Sequence, residues 1–452
     1  MSRYLQIGAV IRSGMSPDSL LQFCLEILPD GDFRRIVLKP NWVIHQTCPE
    51  FPITALVTSS ALIDAVVAAC LAKYPAVEQI TIGDVPLQSC DWESLCKQAG
   101  ISELVAKYAS EPRVRFLDLR RERFILDGGF MRPQVAEGDP KGYSEVVLEG
   151  SSFLEEVSQR SGQFRVSDYD PKETTSMHAP GKHRYLIANS VLDSDLFINL
   201  PKMKTHQKAG ITGALKNLVG VNGHKAYLVH HRQGTVRSGG DEFPPDVNPV
   251  VMLQVRLREY FQKRSATLFK ALRLGWKFLR SLCGIETLAT REKMVQSRQI
   301  YVGAGSWYGN DTIWRMIFDL NRIIRFAPRG GGRLADVPQR EYLAIMDGIV
   351  AGEGNGPLQP LPVDLQTIIA GADPFLVDCC MARLMGFDEQ KIPSISKRRV
   401  FGHAWGAFDA NNVEIEFNGR NLRGVGELPV LHRFIPPPGW KSQIEMEDEV
   451  RA

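Results

Sequence analysis

Residues 36–84 hold the stretch that decides the fold: Ile36-Val-Leu-Lys-Pro-Asn-Trp42, then Thr58-Ser-Ser-Ala-Leu-Ile-Asp-Ala-Val-Val-Ala-Ala-Cys-Leu-Ala-Lys73, then Ile80-Thr-Ile-Gly-Asp84. The two short apolar runs, each closed by turn or polar residues, read as buried strands. The long apolar run between them, opened by Thr58-Ser-Ser, reads as a capped helix. Strand, helix, strand is a βαβ unit, and strands joined in this way lie parallel. Tyr4–Ile11 adds a strand, and Ser16–Leu28 adds a helix opened by Ser16-Pro17-Asp18. The expected fold class is therefore α/β: a mainly parallel sheet with flanking helices built from βαβ units, carrying an antiparallel elaboration and a helical insertion. In such sheets functional groups gather just past the carboxyl ends of strands. Lys39-Pro-Asn41, Gly83-Asp84 and Pro201-Lys-Met-Lys-Thr-His206 all occupy that kind of place.

The last of these opens the chain's densest run of polar chemistry. Residues 199–218 follow the apolar run Asp195-Leu-Phe-Ile-Asn-Leu200 and contain Lys202, Lys204, His206, Lys208, Thr212, Lys216 and Asn217. If 202–206 is extended, Lys202, Lys204 and His206 share one face. Gly210–Leu218 reads as a loop entering a helix N-terminus, whose free N–H groups favour an anion. Lysines on its own face keep His206 mainly neutral at pH 7.

Composition narrows the field. The 452 residues are 44% hydrophobic and 23% charged with a net charge of +3, which describes a globular chain too mildly basic to imply nucleic-acid binding. The amino terminus shows no signal-peptide pattern, and no apolar run reaches the ~18 residues of a membrane span. A cytoplasmic protein is the expectation. Of the eight cysteines none forms a Cys-x-x-Cys pair, so neither zinc-ribbon nor ferredoxin spacing is present and no iron–sulfur cluster is expected.

The expected organisation is an α/β core in two parts, residues 1–221 and 301–400, interrupted by an insertion at 222–300 and followed by a strand and loose Pro-rich tail at 401–452. Residues 110–185 read as a sheet elaboration with strands at Val114–Leu117, Arg123–Leu126 and Glu145–Leu148. Within the insertion, about 250–282 is a helical pattern with bases at Arg256, Arg258, Lys263, Arg264, Lys270, Arg273, Lys277 and Arg280 and a bulky apolar face. Such a helix suits packing on the body with solvated bases, or a protein partner, or the anionic inner face of a membrane.

Further carboxylates stand in the second half. Asp347-Gly-Ile-Val-Ala-Gly-Glu-Gly-Asn-Gly-Pro357 follows the apolar strand Tyr342–Met346 and reads as a glycine-rich loop. Asp347 and Glu353 are hard oxygen donors suited to Mg²⁺ or Mn²⁺, while a structural turn is the alternative. Asp373-Pro374 is a helix start. Asp378 interrupts an apolar helix and needs a cation or hydrogen-bond donors.

Taken together, Lys39-Pro-Asn41, Pro201-Lys-Met-Lys-Thr-His206, Thr212-Gly-Ala-Leu-Lys-Asn217, Asp347-Gly348, Glu353-Gly-Asn-Gly-Pro357 and Asp373-Pro-Phe-Leu-Val-Asp378 with Met385-Gly386 resemble the family known as domain of unknown function 362. The resemblance spans roughly residues 4–220 and 300–400. Some members are fused to ferredoxin-type modules, whose cysteines this chain lacks. The resemblance implies fold and site positions and no established reaction.

The leading functional expectation is an enzyme acting on a small anionic (phosphate- or carboxylate-bearing) molecule. Lys39, Asn41, Lys204, Thr212, Lys216 and Asn217 would bind it, His206, Lys202 and Asp378 would carry the chemistry, and Asp347 and Glu353 would hold a divalent cation. The alternatives are a non-catalytic anion- or cofactor-binding accessory protein, attached to a partner or membrane through 250–282, and a redox component.

Overall fold

The computed structural model describes residues 8–15, 17–127, 130–166, 171–247, 252, 303–402 and 409–447. Its centre is an 11-stranded sheet. In chain order the strands are β1 (Ala9–Ser13), β2 (Arg35–Pro40), β3 (Gln79–Asp84), β4 (Val114–Asp118), β5 (Leu196–Leu200), β6 (Lys202–His206), β7 (Gly210–Ile211), β8 (Glu341–Asn355), β9 (Gln359–Gly371), β10 (Glu414–Phe417) and β11 (Arg420–Arg423). Across the sheet they run β11-β10-β1-β9-β8-β5-β2-β3-β4. The block β8-β5-β2-β3-β4 is parallel, as are β10 and β1. Strand β9 runs antiparallel to both β1 and β8. The protein is thus mixed α/β with a large, mostly parallel sheet.

Period-two alternation sorts the strand residues between two cores. Ile36, Leu38, Ile80 and Ile82 pack on one side with Leu20 and Phe23 of α1 (Pro17–Ile27) and with Leu62 and Val66 of α2 (Ser60–Lys73). Val37 and Phe197 pack on the other side with Ile317 and Phe318 of α4 (Ile313–Phe326) and Phe375 of α5 (Pro374–Leu384). Between these in sequence lies a five-residue helix, α3 (Gly213–Asn217). Each fully buried Leu, Ile, Val or Phe contributes about 1.5–3 kcal/mol. Lys39, two residues after Val37, belongs by alternation to the second side, where the register sets it opposite Asn199. Helix α2 starts where Thr58-Ser-Ser predicts, Ser59 Oγ accepting from the Ala61 N–H at 3.2 Å.

Three sequence expectations change. Val114–Leu117, read as part of the elaboration, is β4 at the edge of the main sheet. The glycine-rich stretch after Met346 is not a loop: β8 continues through it to Asn355 and pairs with β9 along its length. Glycine serves there as a close-packing residue, since a Cβ on Gly352 would sit 2.7 Å from Pro360 Cβ and 3.0 Å from Lys204 Cβ. The expected loose tail is packed: Phe434, Trp440 and Ile444 are buried, and Trp440 Nε1 donates to the Gln207 carbonyl at 2.6 Å. The elaboration itself is antiparallel, with Tyr143–Val147 paired to Lys182–Ala188 and Glu122–Asp127 to Phe130–Val135.

The basic helical pattern at about 250–282 lies outside the described residues apart from residue 252. Among the described residues, no helix is long and apolar enough to cross a membrane.

Strand β5 sits between β2 and β8. Past Pro201, β6 continues along β8, with Lys202 opposite Asp347 and Lys204 opposite Gly352. Strand β2 has by then ended at Pro40, and β7 folds back on β6. The sheet therefore parts at the carboxyl ends of β2 and β5.

Candidate functional site

A cavity of about 280 Å³ opens at this parting. Lys39 and Asn41 line it from the end of β2, Asp84 from the end of β3, Lys204 and His206 from β6, and Thr212, Lys216 and Asn217 from α3 and its approach. Lys208, Lys225 and His230 complete its polar wall, and Pro357 and Leu358 border it from the β8–β9 turn. Five lysines and two histidines thus face one space, and Asp84 is the single carboxylate among the described lining residues.

Asn217 holds the parted ends together. Its Nδ2 donates to the Lys39 carbonyl at 3.1 Å and to Asn199 Oδ1 at 2.7 Å. Its Oδ1 accepts from Lys39 Nζ at 3.2 Å and Asn41 Nδ2 at 2.9 Å. Asn199 in turn donates to the Ala214 carbonyl and the Tyr342 hydroxyl, both at 2.8 Å. One amide therefore fixes β2, β5 and α3 relative to each other.

Asp84 is fully occupied. It pairs with Lys39 Nζ at 2.8 Å and accepts from the N–H groups of Trp42 and Val85 at 2.5 and 2.7 Å. Gly220 makes room for that pair, because a Cβ there would lie 1.9 Å from Asp84 Oδ1 and 2.6 Å from Lys39 Nζ. Burial still holds the Lys39 ammonium below its ordinary range, although Asp84 opposes that shift.

Lys204, Lys216 and Lys225 form no ion pair among the described residues. Lys204 Nζ donates to the carbonyls of Leu56 and Pro357 at 2.5 and 3.4 Å, Lys225 to Val85 at 2.9 Å, and Lys208 to Ala304 at 2.6 Å. Burial, and next to it Lys202, pushes Lys204 well below the usual lysine range. Burial brings Lys225 down to about 8. Lys216 has no hydrogen-bond or ion-pair partner among the described residues. It is lowered to about 7, first by burial and then by Lys225, Lys208 and Lys39. Uncompensated buried charge is costly, and burial together with like-charged neighbours lowers the proton affinity of these amines.

His206 accepts on Nδ1 from the N–H groups of Lys208 and Ala209 at 3.1 and 3.3 Å. That network assigns the neutral tautomer with its proton on Nε2. Burial, followed by Lys216 and Lys204, holds it well below the histidine range, so the ring is a neutral donor. Thr212 Oγ1, Asn41 Oδ1 and Gln88 Nε2 are buried without a hydrogen-bond partner among the described residues, and all three residues line the cavity. Unpaired buried polar atoms are uncommon, and three of those among the described residues border this space.

Other sequence-predicted residues lie elsewhere. Lys202 does not line the cavity: a register shift between Lys202 and Lys204 interrupts the alternation that would keep 202, 204 and 206 on one face. Its Nζ forms a buried ion pair with Asp347 Oδ2 at 2.8 Å. Asp347 also accepts from the N–H groups of Ser59 and Ile349 at 2.7 and 3.0 Å. Glu353 accepts from the Ile435 N–H at 3.0 Å and lies 3.3 Å from His432 Nε2. Among the described residues no group of three or more His, Cys, Asp or Glu side chains is placed to hold a metal ion. Asp378 occupies the start of α3, accepting from the Ala214 and Leu215 N–H groups at 2.5 and 3.1 Å. The helix terminus read as a ligand cradle is therefore filled by the protein's own carboxylate, whose proton affinity burial raises to about 7. Asp373 caps α5 and pairs with Arg398 at 2.8 Å.

Lys225 and Gln88 were missed in the sequence because nothing in their local pattern distinguishes them from solvated side chains. Lys208 sits inside the dense 199–218 run. His230 is partly buried against the cavity lysines, which, after burial itself, hold it well below the histidine range.

Fold and site together define an α/β protein with a lysine-rich cavity at the carboxyl edge of its sheet. A family model described as "Domain of unknown function (DUF362)" matches residues 122–383, more than half of the chain, and the chain belongs to that family. A search of curated proteins found no match. Among solved structures, a Thermotoga maritima protein from a structural genomics consortium aligns at 10% identity with a TM-score of 0.34, covering 79% of this chain. The chain spans 55% of that protein's length.

Proposed function

We propose that this protein binds a small anionic organic molecule, bearing phosphate or carboxylate, at the carboxyl edge of the sheet and acts on it as an enzyme. The observation that carries this reading is the convergence of five lysines and two histidines on one cavity whose only described carboxylate is already committed to Lys39 and the backbone. An anion would offset the charge that burial makes costly, and it would meet donors already fixed in position. The volume, about 280 Å³, lies just below the roughly 300–1,000 Å³ of drug-sized ligand sites, which favours a compact metabolite over a dinucleotide.

Roles follow from the bonding. Lys39, Asn41 and Asn217 form a fixed frame, and Lys204 and Lys225 supply positioned charge. His206 Nε2–H donates to a developing negative charge, and Lys216 is the group free to exchange a proton. Lys202 and Asp347 act as a structural pair behind this frame rather than as catalytic or metal-binding groups, and Asp378 orients α3. The accessory reading, in which the anion is held without turnover, shares the same cavity.

Thermal-shift and calorimetric titrations with inorganic phosphate, sugar phosphates, nucleotides and di- and tricarboxylates test the proposal. Saturable stabilisation by a subset of the panel, lost in Lys216→Met, is expected. An equal response to chloride at the same ionic strength would overturn it. Conversion of a bound compound, followed by mass spectrometry, separates the enzyme from the carrier.

A further inference from the structure

Four of the five cavity lysines are tethered. Lys39 is held by Asp84 and Asn217, Lys204 by two backbone carbonyls, Lys208 by Ala304 and Lys225 by Val85. Lys216 alone among them has no hydrogen-bond or ion-pair partner among the described residues, although its side chain is only 8% exposed and lines the cavity. It stands in the last turn of α3, whose backbone is pinned by Asp378 at one end and by Asn217 at the other. Thr212 Oγ1, also buried and without a hydrogen-bond partner among the described residues, lines the same wall. A buried primary amine that is free of partners, on a fixed element, amid fixed positive charge, is the arrangement of a nucleophile rather than of a structural cation.

We propose that Lys216 forms an imine with an aldehyde or ketone group of the anionic ligand, so that the substrate class is a small carbonyl compound carrying phosphate or carboxylate. This rests on the anion-binding reading above. The nitrogen lone pair of neutral Lys216 attacks the carbonyl carbon, a C–N bond forms, and the carbonyl π pair moves to oxygen. The resulting carbinolamine expels that oxygen as water together with the two protons the amine carried, leaving C=N. No oxidant, reductant or co-reactant is required. His206 Nε2–H is the donor that polarises the carbonyl oxygen, and the tethered ammonium groups hold the anionic end.

The charges around the amine favour its neutral form at physiological pH. Lys225, Lys208, Lys39 and Lys204 face it with like charge, His206 is a neutral neighbour, and Asp84, the one carboxylate among the described lining residues, is bound to Lys39. At pH 7 an ordinary lysine is neutral in only about one molecule in 2,500, whereas an amine titrating near 7 is neutral in about half.

The test is reductive trapping on the full-length protein. Pyruvate and, separately, glyceraldehyde 3-phosphate are added with sodium cyanoborohydride at pH 7, and the adducts are mapped by peptide mass spectrometry. Secondary-amine formation at Lys216 at least ~10-fold faster than at any surface lysine is expected, with the preference shrinking toward pH 10 as other lysines lose their protons. Inorganic phosphate should slow the labelling. In Lys216→Arg the site-specific adduct should vanish. Labelling spread evenly over surface lysines, with phosphate still stabilising the protein, would overturn the imine alone. Absence of both the Lys216 adduct and any phosphate effect would overturn the anion-binding reading with it. Mapping on the wild-type chain decides the matter even where the variant fails to fold.

Discussion

Lys216 and Lys202 stand in the same lysine-rich run and have opposite physics. Lys202 is buried against Asp347 with every carboxylate oxygen engaged, so removing one member strands the other charge. Asp347→Ala is expected to lower unfolding free energy by about 3–5 kcal/mol in urea titrations, with anion affinity of the remaining folded protein little changed. Lys216 is an uncompensated cation, and its depressed proton affinity means that the charged form destabilises the apo fold. The unfolded chain holds this proton up to about pH 10.4 and the folded chain only to about 7, so the penalty is complete below pH 7 and fades as pH rises toward 10.4. Lys216→Met should therefore stabilise the apo protein by on the order of a few kcal/mol at pH 6, with the gain shrinking by pH 10. A gain that grew with pH would contradict the assignment. Asn217 is the third residue of this kind: Asn217→Ala leaves Lys39, Asn41 and Asn199 short of partners, each lost partner costing about 1–3 kcal/mol. Weakened anion binding should accompany that loss of stability.

At the level of elements, the sheet was largely legible and the site only in part. Ile36-Val-Leu, the Thr58–Lys73 run and Ile80-Thr-Ile read directly as β2, α2 and β3, because alternation and caps are local signals. Lys202–His206 is extended, the condition on which its face was read, but the register shift that turns Lys202 to Asp347 arises from pairing with β8, 145 residues away in sequence, and no local pattern encodes it. The glycines of β8 look like a ligand loop in one dimension, since a loop and a strand crowded between β6 and β9 both need small residues. Asp378 was recognisable as a carboxylate in need of donors, yet its donors are the α3 N–H groups rather than a lysine or metal. Gly220→Ala isolates the element-scale claim. Its Cβ would collide with both members of the Lys39–Asp84 pair, so the variant should lose more than about 2 kcal/mol of stability and bind anions more weakly.

Across the whole molecule, the two cores on the faces of the sheet anchor the strand ends, and the strand ends aim the cations. Splitting of the sheet after Pro40 and Leu200 converts scattered motifs at 39–41, 84, 204–217 and 225–230 into one concave surface. Family membership accords with this architecture, and the cavity supplies the chemistry from which a reaction must be argued. The central claim, that the cavity is an anion site centred on Lys216, is tested most directly by calorimetric titration of wild type and Lys216→Met at pH 7 with the best-binding phosphate or carboxylate compound of the panel. Binding at one site per chain, weakened at least ~10-fold by the substitution, is expected, since a charge-assisted hydrogen bond contributes about 1.5–3 kcal/mol. Equal affinity in the two proteins would contradict the account.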